Sequence, residues 1–287
     1  MASKIFVITH ESIDVPQGEV FAPIAVGGAD LGEGFLRDDV GENISALNPV
    51  YNEMTALYWV YKHIDEFPDL DHIGFCHYRR LFCFQNFAKP LFIRKKNKPE
   101  WTGITQKNLD GYWKEFDGGI PYPNYVKSVS HHYEKAHNKD DLPLLLGIIE
   151  ERFPEYADAA KTYLEGDEEY LYNMFIFKRE DFIAYGDFVF PVLKEFYEKR
   201  TYKNDRLFVS ERLTGIFIRY LLDKREHMLL CPLLFIRSRS LKEAFRETKK
   251  NFKEHPEHGF LFKTKPLWLT LLPRFLEQRL RNRTRIS

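Results

Sequence analysis

The chain has 287 residues, of which 44% are hydrophobic and 29% are charged, and its formal net charge is zero. These values are typical of a soluble globular protein that is long enough to bury a sizeable core. The three cysteines lack C-x-x-C spacing and exclude a disulfide framework. No stretch reaches the apolar length of a membrane span or of a signal-peptide core.

The first predicted elements alternate between strand and helix. Apolar runs predict strands over residues 4–10 and 20–26, and the second run ends at a glycine pair. Asn-Pro at residues 48–49 predicts the start of a helix, whose apolar spacing continues to residue 64. A buried strand over residues 73–76 follows. This order predicts an α/β domain with a largely parallel sheet.

The second half of the chain is less regular. Residues 84–125 are rich in Lys, Pro, Gly and aromatics without clear periodicity, which predicts a functional loop or lid. Beyond this segment, apolar patterns predict helices over 130–137, 142–153 and 182–198 and from Ser210 onward, and strands over 170–178 and 228–236.

The C-terminal segment differs in charge from the rest of the chain. Residues 237–287 contain 14 Lys+Arg against 5 Asp+Glu, which leaves 28 against 37 in residues 1–236. Apolar residues between Leu267 and Leu280 recur at near-helical spacing, with arginines interleaved. We therefore expect a domain over residues 1–240 and a basic amphipathic tail over 241–287 that binds an anionic membrane surface. The alternative is a terminal helix packed on its own domain.

The most informative motif is the run from His72 to Leu81. Apolar residues lead into His77, Tyr78, Arg79 and Arg80, where the strand leaves the core. Ligands of open α/β sheets bind just outside the carboxyl ends of the strands. Two adjacent guanidinium groups at such a place suit a diphosphate. The alternative is that one arginine pairs with a carboxylate and the other is solvated.

A competing anion-binding scheme uses a metal. Asp38 and Asp39 lie in a polar loop, and their carboxylate oxygens would suit Mg²⁺ or Mn²⁺. The alternative is that they are a solvated loop pair or form ion pairs with the same arginines. We expect that Arg79 and Arg80, with His77, take the place of a metal, so that no cofactor is needed.

Glu211 is the first candidate for a general base. It follows Ser210 in the first turn of a predicted helix, and Thr214 and Gly215 on its side of that helix are small enough to leave room for a ligand. The alternative is an N-cap serine followed by an acidic residue that the helix dipole favours. Arg212 would clamp a phosphate or pair with a neighbouring acid.

Other polar residues have weaker signals. His131, His132 and His137 match no standard zinc spacing, so an acceptor-binding or structural role is preferred. Asn173 precedes an apolar strand and would contact substrate or stabilise a turn. The sequence contains no G-x-G-x-x-G, Walker A or G-x-S-x-G motif, which argues against dehydrogenases, P-loop enzymes and α/β-hydrolases.

Several of these stretches together resemble a bacterial family that is labelled as a domain of unknown function and is associated with capsular and O-antigen gene clusters. The matching stretches are I-F-V-I-T-H (5–10), R-D-D-V-G-E-N-I-S (37–45), N-E-M-T-A-L-Y-W (52–59), I-G-F-C-H-Y-R-R-L-F (73–82), H-Y-E-K-A-H (132–137), Y-N-M-F-I (172–176) and S-E-R-L (210–213).

This resemblance implies a glycosyltransferase of the A-type fold, Rossmann-like with a mostly parallel sheet. Characterised relatives include galactofuranosyltransferases that form β linkages. The expected partners are a UDP-sugar donor and a glycan or lipid-linked glycan acceptor, at the inner face of the cytoplasmic membrane. His10, Asp38, Asp39 and Asn43 would line the nucleotide side, and His132 and His137 the acceptor side.

Three alternatives stay open at this point. The donor could be another UDP-sugar, or the mechanism could be retaining. The chain could be a non-catalytic sugar-binding subunit of a polysaccharide assembly complex. A nucleic-acid-binding protein that uses the basic tail is the third, and it is disfavoured because the body has no nucleic-acid motif.

Overall fold

A computed structural model describes residues 1–11, 15–84, 102, 104–203, 205–224 and 227–235, and the short pieces 245–246, 248–249 and 252–253. The amphipathic segment 267–287 lies outside the described residues, as does the core of the predicted lid, residues 85–101. In the part of the chain that is described, no helix is long and apolar enough to cross a membrane.

One sheet organises the molecule. Its main path runs β10 (Met228–Cys231), β6 (Gly118–Pro121), β9 (Phe175–Lys178), β4 (Leu70–His77), β1 (Ala2–Thr9), β2 (Phe21–Ala25) and β3 (Leu36–Arg37). Strands β4, β1, β2 and β3 are mutually parallel, β10 is parallel to β6, and β9 runs antiparallel to both of its neighbours. The predicted α/β class with a mostly parallel sheet is confirmed.

Short strands extend the sheet at the end of β4. Strand β5 (Arg80–Phe82) turns back on β4 through the pair His77 and Arg80, and β11 (Leu233–Phe235) pairs with β5. A separate two-stranded ribbon joins β7 (Asn124–Tyr125) to β8 (Glu168–Glu169). The predicted single strand over 228–236 is therefore two strands, because Pro232 lies between β10 and β11 and cannot donate a ladder hydrogen bond.

The helices pack against this sheet and against one another. Their bounds are α1 (Asn48–Tyr51), α2 (Met54–Lys62), α3 (Gln106–Tyr112), α4 (Val129–Glu134), α5 (Asp141–Arg152), α6 (Ala157–Glu165), α7 (Arg179–Lys199) and α8 (Val209–Lys224). Within the described residues, every helix that the sequence predicts is present with shifted ends, and the predicted helical spacing over 267–280 lies outside them. The segment 84–125 is wrongly predicted as irregular throughout, since it contains α3 and β6.

One predicted helix and one predicted strand are wrongly continuous, because residues with positive φ interrupt both. The predicted helix over 48–64 is broken at Asn52, which has a φ of 51°. The predicted strand over 170–178 begins only at Phe175, because Tyr172 and Asn173 have φ of 79° and 49°. Left-handed backbone at non-glycine residues interrupts hydrogen-bonded elements, and consecutive instances require strong local support.

An aromatic cluster fixes the helices against the sheet. Phe175 on β9 stacks on Phe177 at 4.0 Å between ring centroids and contacts Phe75 on β4 and Tyr185 on α7. Phe217 on α8 contacts Tyr185 edge to face. All five rings are buried. This packing holds the start of α8 near the residues that precede β9, which is where the polar side chains gather.

Candidate functional site

The carboxyl end of β4 presents two cationic side chains. Arg79 is exposed, with its guanidinium 4.9 Å from the centre of the Tyr78 ring, and Arg80 is half-buried, 4.2 Å from the ring of Tyr172. Neither arginine forms an ion pair with a carboxylate within the described residues. A guanidinium over an aromatic ring is attracted by the ring face and can still donate its N–H groups to an anion.

His77 is not a third cation. Its Nε2–H donates to the carbonyl oxygen of Tyr172 at 2.7 Å. Burial lowers the pKa of His77 to about 4, and the nearby Arg80 and Arg79 also disfavour its charged form. The imidazole is therefore neutral at pH 7, and Arg79 and Arg80 supply positive charge at this edge.

The turn of Tyr172 and Asn173 joins the two halves of the site. The carbonyl of Tyr172 accepts from His77, and its N–H donates to Glu211 Oε1 at 3.0 Å. A single left-handed peptide segment thus connects the end of β4 to the first turn of α8. Backbone held in such a sparsely populated conformation is frequent at functional sites.

The side chain of Asn173 stabilises this turn through three hydrogen bonds. Its amide nitrogen donates to Glu53 Oε1 at 2.8 Å and to Ser210 Oγ at 3.1 Å, and its oxygen accepts from Thr214 Oγ1 at 2.6 Å. Asn173 is only 1% exposed. With its hydrogen bonds made to protein, it has the turn-stabilising role that the sequence left open, and the structure does not place it at a substrate-accessible surface. Ser210 is not an N-cap, since α8 begins at Val209.

Glu211 reaches the surface of this cluster. Its side chain is 27% exposed, and its Oε2 is 3.3 Å from Arg212 Nη1. Burial raises the pKa of Glu211, the positive charge of Arg212 opposes this rise, and Glu53 and Glu169 add to it. A carboxylate that is partly open to solvent and has a raised pKa is suited to accept a proton at neutral pH.

Arg212 is buried behind Glu211 and bridges two carboxylates. Its Nη2 lies 3.0 Å from Glu169 Oε1, and it is 3% exposed. Glu169 is fully buried and also lies 2.9 Å from His132 Nδ1 and 3.0 Å from Asn124 Nδ2. Of the two alternatives for Arg212, pairing with neighbouring acids is the one observed. The residue is not exposed to a phosphate.

His10 and Tyr78 lie together at the neighbouring strand end. Their rings are 5.3 Å apart, and Glu11 accepts a hydrogen bond from the Tyr78 hydroxyl at 2.9 Å. His10 is exposed, whereas Tyr78 is 5% exposed. The carboxyl ends of β1 and β4 therefore bring His10, Arg79 and Arg80 to one edge, as the sequence predicts.

The loop residues Asp38, Asp39 and Asn43 have partners of their own. Asp38 is fully buried and accepts from Gly27 N and Ser45 Oγ, and Asp39 forms a two-point pair with Arg37. Asn43 bonds to the backbone of its own loop. Asp38 thus organises the loop rather than facing a ligand. No group of three or more potential metal ligands occurs among the described residues.

His137 and His132 differ in their surroundings. His137 stacks on Phe208 at 4.2 Å and contacts Tyr133, and burial lowers its pKa. His132 has a side chain that is 47% exposed, on the Glu169 side of the site. An acceptor role for either histidine stays a prediction, and only His132 combines an exposed ring with a fixed polar partner.

The predicted space beside Gly215 is filled by protein. A Cβ atom at Gly215 would lie 2.0 Å from Tyr163 Cζ, and Tyr163 is buried. Thr214 is engaged with Asn173 and with the hydroxyl of Tyr185. The small residues of α8 therefore accommodate a tyrosine, and the expectation that they leave room for a ligand is wrong.

We expect Gly215→Ala to lower the free energy of unfolding by about 1–3 kcal/mol, because the buried Tyr163 ring must shift. Urea denaturation monitored by circular dichroism measures this. Gly147→Ala on α5 is the matched control. Nothing lies within 4 Å of the added methyl there, and the alanine should raise stability by about 0.5–1 kcal/mol. Equal stabilities for the two variants would contradict the packing.

Two residues of this cluster, Glu53 and Glu169, are absent from the sequence-based candidates. Burial raises the pKa of Glu53, and its Oε1 accepts a hydrogen bond from Asn173 Nδ2. Glu53 lies within N-E-M-T-A-L-Y-W (52–59), one of the stretches that carry the family resemblance, and Glu169 lies three residues before another, Y-N-M-F-I (172–176). Their position in or near these stretches was the signal in the sequence that could have identified them as site residues. A glutamate near the start of a helix is, however, commonly explained by the helix dipole.

Comparison with known proteins places this geometry in context. Residues 4–224 match the family model described as "Domain of unknown function (DUF4422)". No curated protein sequence matches the chain. A solved structure described as the apo form of the bifunctional glycosyltransferase WbbM is similar, with a TM-score of 0.73 and 26% sequence identity over 83% of this chain.

The match spans 46% of the WbbM chain, so this chain corresponds to less than half of that protein. The likeness to a glycosyltransferase structure and the mostly parallel sheet agree with the predicted A-type, Rossmann-like fold. The family model covers well over half of the sequence and includes every site residue named above. This chain therefore belongs to the DUF4422 family.

Proposed function

We propose that this chain is a glycosyltransferase that moves a sugar from a nucleoside-diphosphate donor to a hydroxyl of a glycan acceptor. The observation that carries the proposal is the proximity of two kinds of group. Arg80 stacks on Tyr172, and the N–H of the same Tyr172 donates to the partly exposed carboxylate of Glu211. The similarity to WbbM supports a transferase of this class.

The proposed reaction is a direct displacement. The acceptor oxygen forms a bond to the anomeric carbon as its proton passes to a carboxylate oxygen of Glu211. The bond between that carbon and the diphosphate oxygen breaks, and the electron pair leaves with the diphosphate. Arg79 and Arg80 stabilise the negative charge that develops on the departing group. Displacement from one face inverts the configuration at the anomeric carbon.

The finer assignment names UDP-galactofuranose as donor, a β linkage as product and a growing capsular or O-antigen polysaccharide as acceptor. It is supported by the resemblance of seven sequence stretches to a family with such members. Residues lining the donor side would include His10 and Arg79, and the acceptor side His132. A different UDP-sugar would fit the same arrangement of arginines and base.

A panel experiment tests this proposal. Purified protein is mixed in turn with UDP-galactofuranose, UDP-galactose, UDP-glucose and UDP-N-acetylglucosamine, and with octyl glycosides of common hexoses as acceptors. We expect UDP release and a new glycoside with UDP-galactofuranose, and NMR of the product gives the linkage. Transfer from another donor would correct the sugar. Binding of UDP without any transfer would favour a non-catalytic sugar-binding subunit.

We also expect transfer to be independent of added metal. The two arginines carry the charge that a divalent ion would otherwise supply at the diphosphate. Rates measured after dialysis against EDTA should equal those with 5 mM Mn²⁺, within about a factor of two. A loss of activity with EDTA that Mn²⁺ restores would favour the alternative in which Asp38 and Asp39 bind Mg²⁺ or Mn²⁺.

The setting of the reaction is part of the proposal. The basic tail, residues 241–287, would hold the enzyme on the anionic inner face of the cytoplasmic membrane, near a lipid-linked acceptor. This proposal is supported by the surplus of positive charge and the apolar spacing in that segment. Nucleic acid is not an expected partner.

A further inference from the structure

His132 is held by a carboxylate that has no access to solvent. Its Nδ1 lies 2.9 Å from Glu169, whose side chain is fully buried, while the histidine side chain itself is 47% exposed. Glu169 does not belong to His132's own helix: it lies on β8, across from Asn124 on β7. A half-exposed imidazole is thus fixed from behind by a residue 37 positions away in the chain.

This arrangement defines which nitrogen of His132 is free. A carboxylate only accepts hydrogen bonds, so Nδ1 carries the proton that faces Glu169. In the neutral ring Nε2 then has a lone pair and no proton. Within the part of the chain that is described, Nε2 has no hydrogen-bond partner. The same carboxylate–imidazole geometry orients bases and hydroxyl-binding histidines in unrelated enzymes.

The fixed imidazole is linked to the candidate base through one guanidinium. Arg212 places Nη2 3.0 Å from Glu169 and Nη1 3.3 Å from Glu211. Because the guanidinium is rigid and planar, the positions of Glu169 and Glu211 are tied together. Asn124 Nδ2 donates to the remaining oxygen of Glu169 at 3.0 Å. The Glu169 carboxylate is therefore held by three side-chain donors, those of His132, Arg212 and Asn124.

We propose that His132 and Glu169 form a subsite for the acceptor sugar. Nε2 of His132 accepts a hydrogen bond from a hydroxyl of the sugar ring next to the one that Glu211 deprotonates. Glu169 is a positioning residue that fixes the ring and its tautomer. This inference rests on the proposed function and names the group that recognises the acceptor. An imidazole nitrogen without a proton accepts a hydrogen bond, and the hydroxyl groups of a sugar ring can donate one.

The test uses His132→Asn, because an asparagine amide can still donate to Glu169 but has no group at the position of Nε2. With the acceptor that the wild type glycosylates in the panel above, we expect the acceptor KM to rise about tenfold, the effect of one lost hydrogen bond. The Kd for UDP, measured by calorimetry, should stay within about twofold. His131→Asn, on the same helix, is the matched control and should leave both constants unchanged.

Glu169→Gln completes a double-mutant cycle. Alone it should also raise the acceptor KM, and in the His132→Asn background it should add little, because both changes remove the same oriented nitrogen. Removing the charge of Glu169 also leaves the buried Arg212 with one carboxylate fewer. If thermal unfolding shows that Glu169→Gln does not fold, His132→Asn and His132→Gln decide the matter.

Two failures are distinguishable. If the wild type transfers sugar and His132→Asn has the same acceptor KM as His131→Asn, the subsite is wrong and the proposed function stands. If His132→Asn raises the donor KM as much as the acceptor KM, the subsite is also wrong. If the wild type binds no UDP and forms no product with any donor, the proposed function fails and the subsite fails with it.

Discussion

Glu211→Gln should reduce the rate of transfer by about 10²–10⁴, the range that general-base catalysis contributes. Glutamine has the size of glutamate and can still accept the hydrogen bond that Tyr172 N–H donates to Glu211 Oε1. It cannot take a proton from the acceptor hydroxyl. The Kd for UDP, measured by calorimetry, should therefore change little while kcat falls.

Glu134→Gln provides the control for this variant. Glu134 is an exposed carboxylate on α4, and its replacement removes the same charge without touching the cluster around Arg212. We expect wild-type kinetics from it. If Glu211→Gln retained more than about a tenth of the wild-type rate, a direct role for Glu211 as proton acceptor would be untenable.

Glu211→Gln, which is expected to lower the rate of transfer, should raise the stability of the folded protein. Burial raises the pKa of Glu211 in the folded protein above its value in the unfolded chain. Folding is then favoured most where the group is protonated in both states, and this contribution is lost as pH rises from the unfolded pKa through the folded one. We expect Glu211→Gln to unfold at a higher temperature than the wild type at pH 7.5, with the difference vanishing near pH 4. Catalytic groups often have such a cost in stability.

The pH dependence of transfer follows from the same pKa. A base must be ionised, so the rate should fall as pH decreases through the raised pKa of Glu211. The acid limb of the kcat profile should accordingly lie above the ordinary glutamate value of about 4.3. His77 does not contribute to this limb near neutrality, because burial lowers its pKa to about 4.

The sequence was sufficient for the parts of the fold that depend on periodicity. Apolar runs locate β1, β2 and β4, and three-to-four-residue spacing locates α7 and α8, because burial of one face or of a whole strand leaves a direct trace in residue order. Breaks in the elements leave no such trace. Asn52, Tyr172 and Asn173 have positive φ, so helix 48–64 and strand 170–178 were predicted too long. The turn at Tyr172 and Asn173 is held by hydrogen bonds to His77, Glu53 and α8, partners that are distant in the sequence.

The site residues also divide into those that the sequence pattern indicates and those that only tertiary contacts reveal. His77, Arg79 and Arg80 follow a buried strand, so the general rule for strand ends indicates their position. Glu211 was a candidate because it opens an amphipathic helix. Glu53 and Glu169 could not be placed, because their significance lies in contacts with residues 120 and 43 positions away, Asn173 and Arg212. The failure over Gly215 is similar, since the Tyr163 ring that fills its space belongs to another helix.

Arg80→Ala should be the most damaging change on the donor side. Its guanidinium stacks on Tyr172 at 4.2 Å, beside the turn that also binds Glu211 and His77. Loss of one fixed positive group that stabilises a developing anion lowers kcat by about 10²–10³. The Kd for UDP should rise as well, because the diphosphate is charged before and after transfer. Arg79→Ala should weaken UDP binding in the same direction, with less effect on kcat, since Arg79 is exposed and screened by solvent.

Conservative replacement separates charge from geometry. Arg80→Lys keeps the charge but lacks the planar group that stacks on Tyr172 and offers paired N–H donors. If orientation matters, Arg80→Lys should recover UDP binding more than it recovers kcat. Arg219→Ala is the control, because Arg219 lies on the exposed side of α8 in a pair with Asp223. Near-normal turnover of Arg80→Ala would mean that the diphosphate charge is stabilised elsewhere, and the assignment of this strand end as the donor site would have to be abandoned. A large loss confined to the two arginines would instead tie the chemistry to the strand end where Arg80 stacks on Tyr172, whose N–H donates to Glu211.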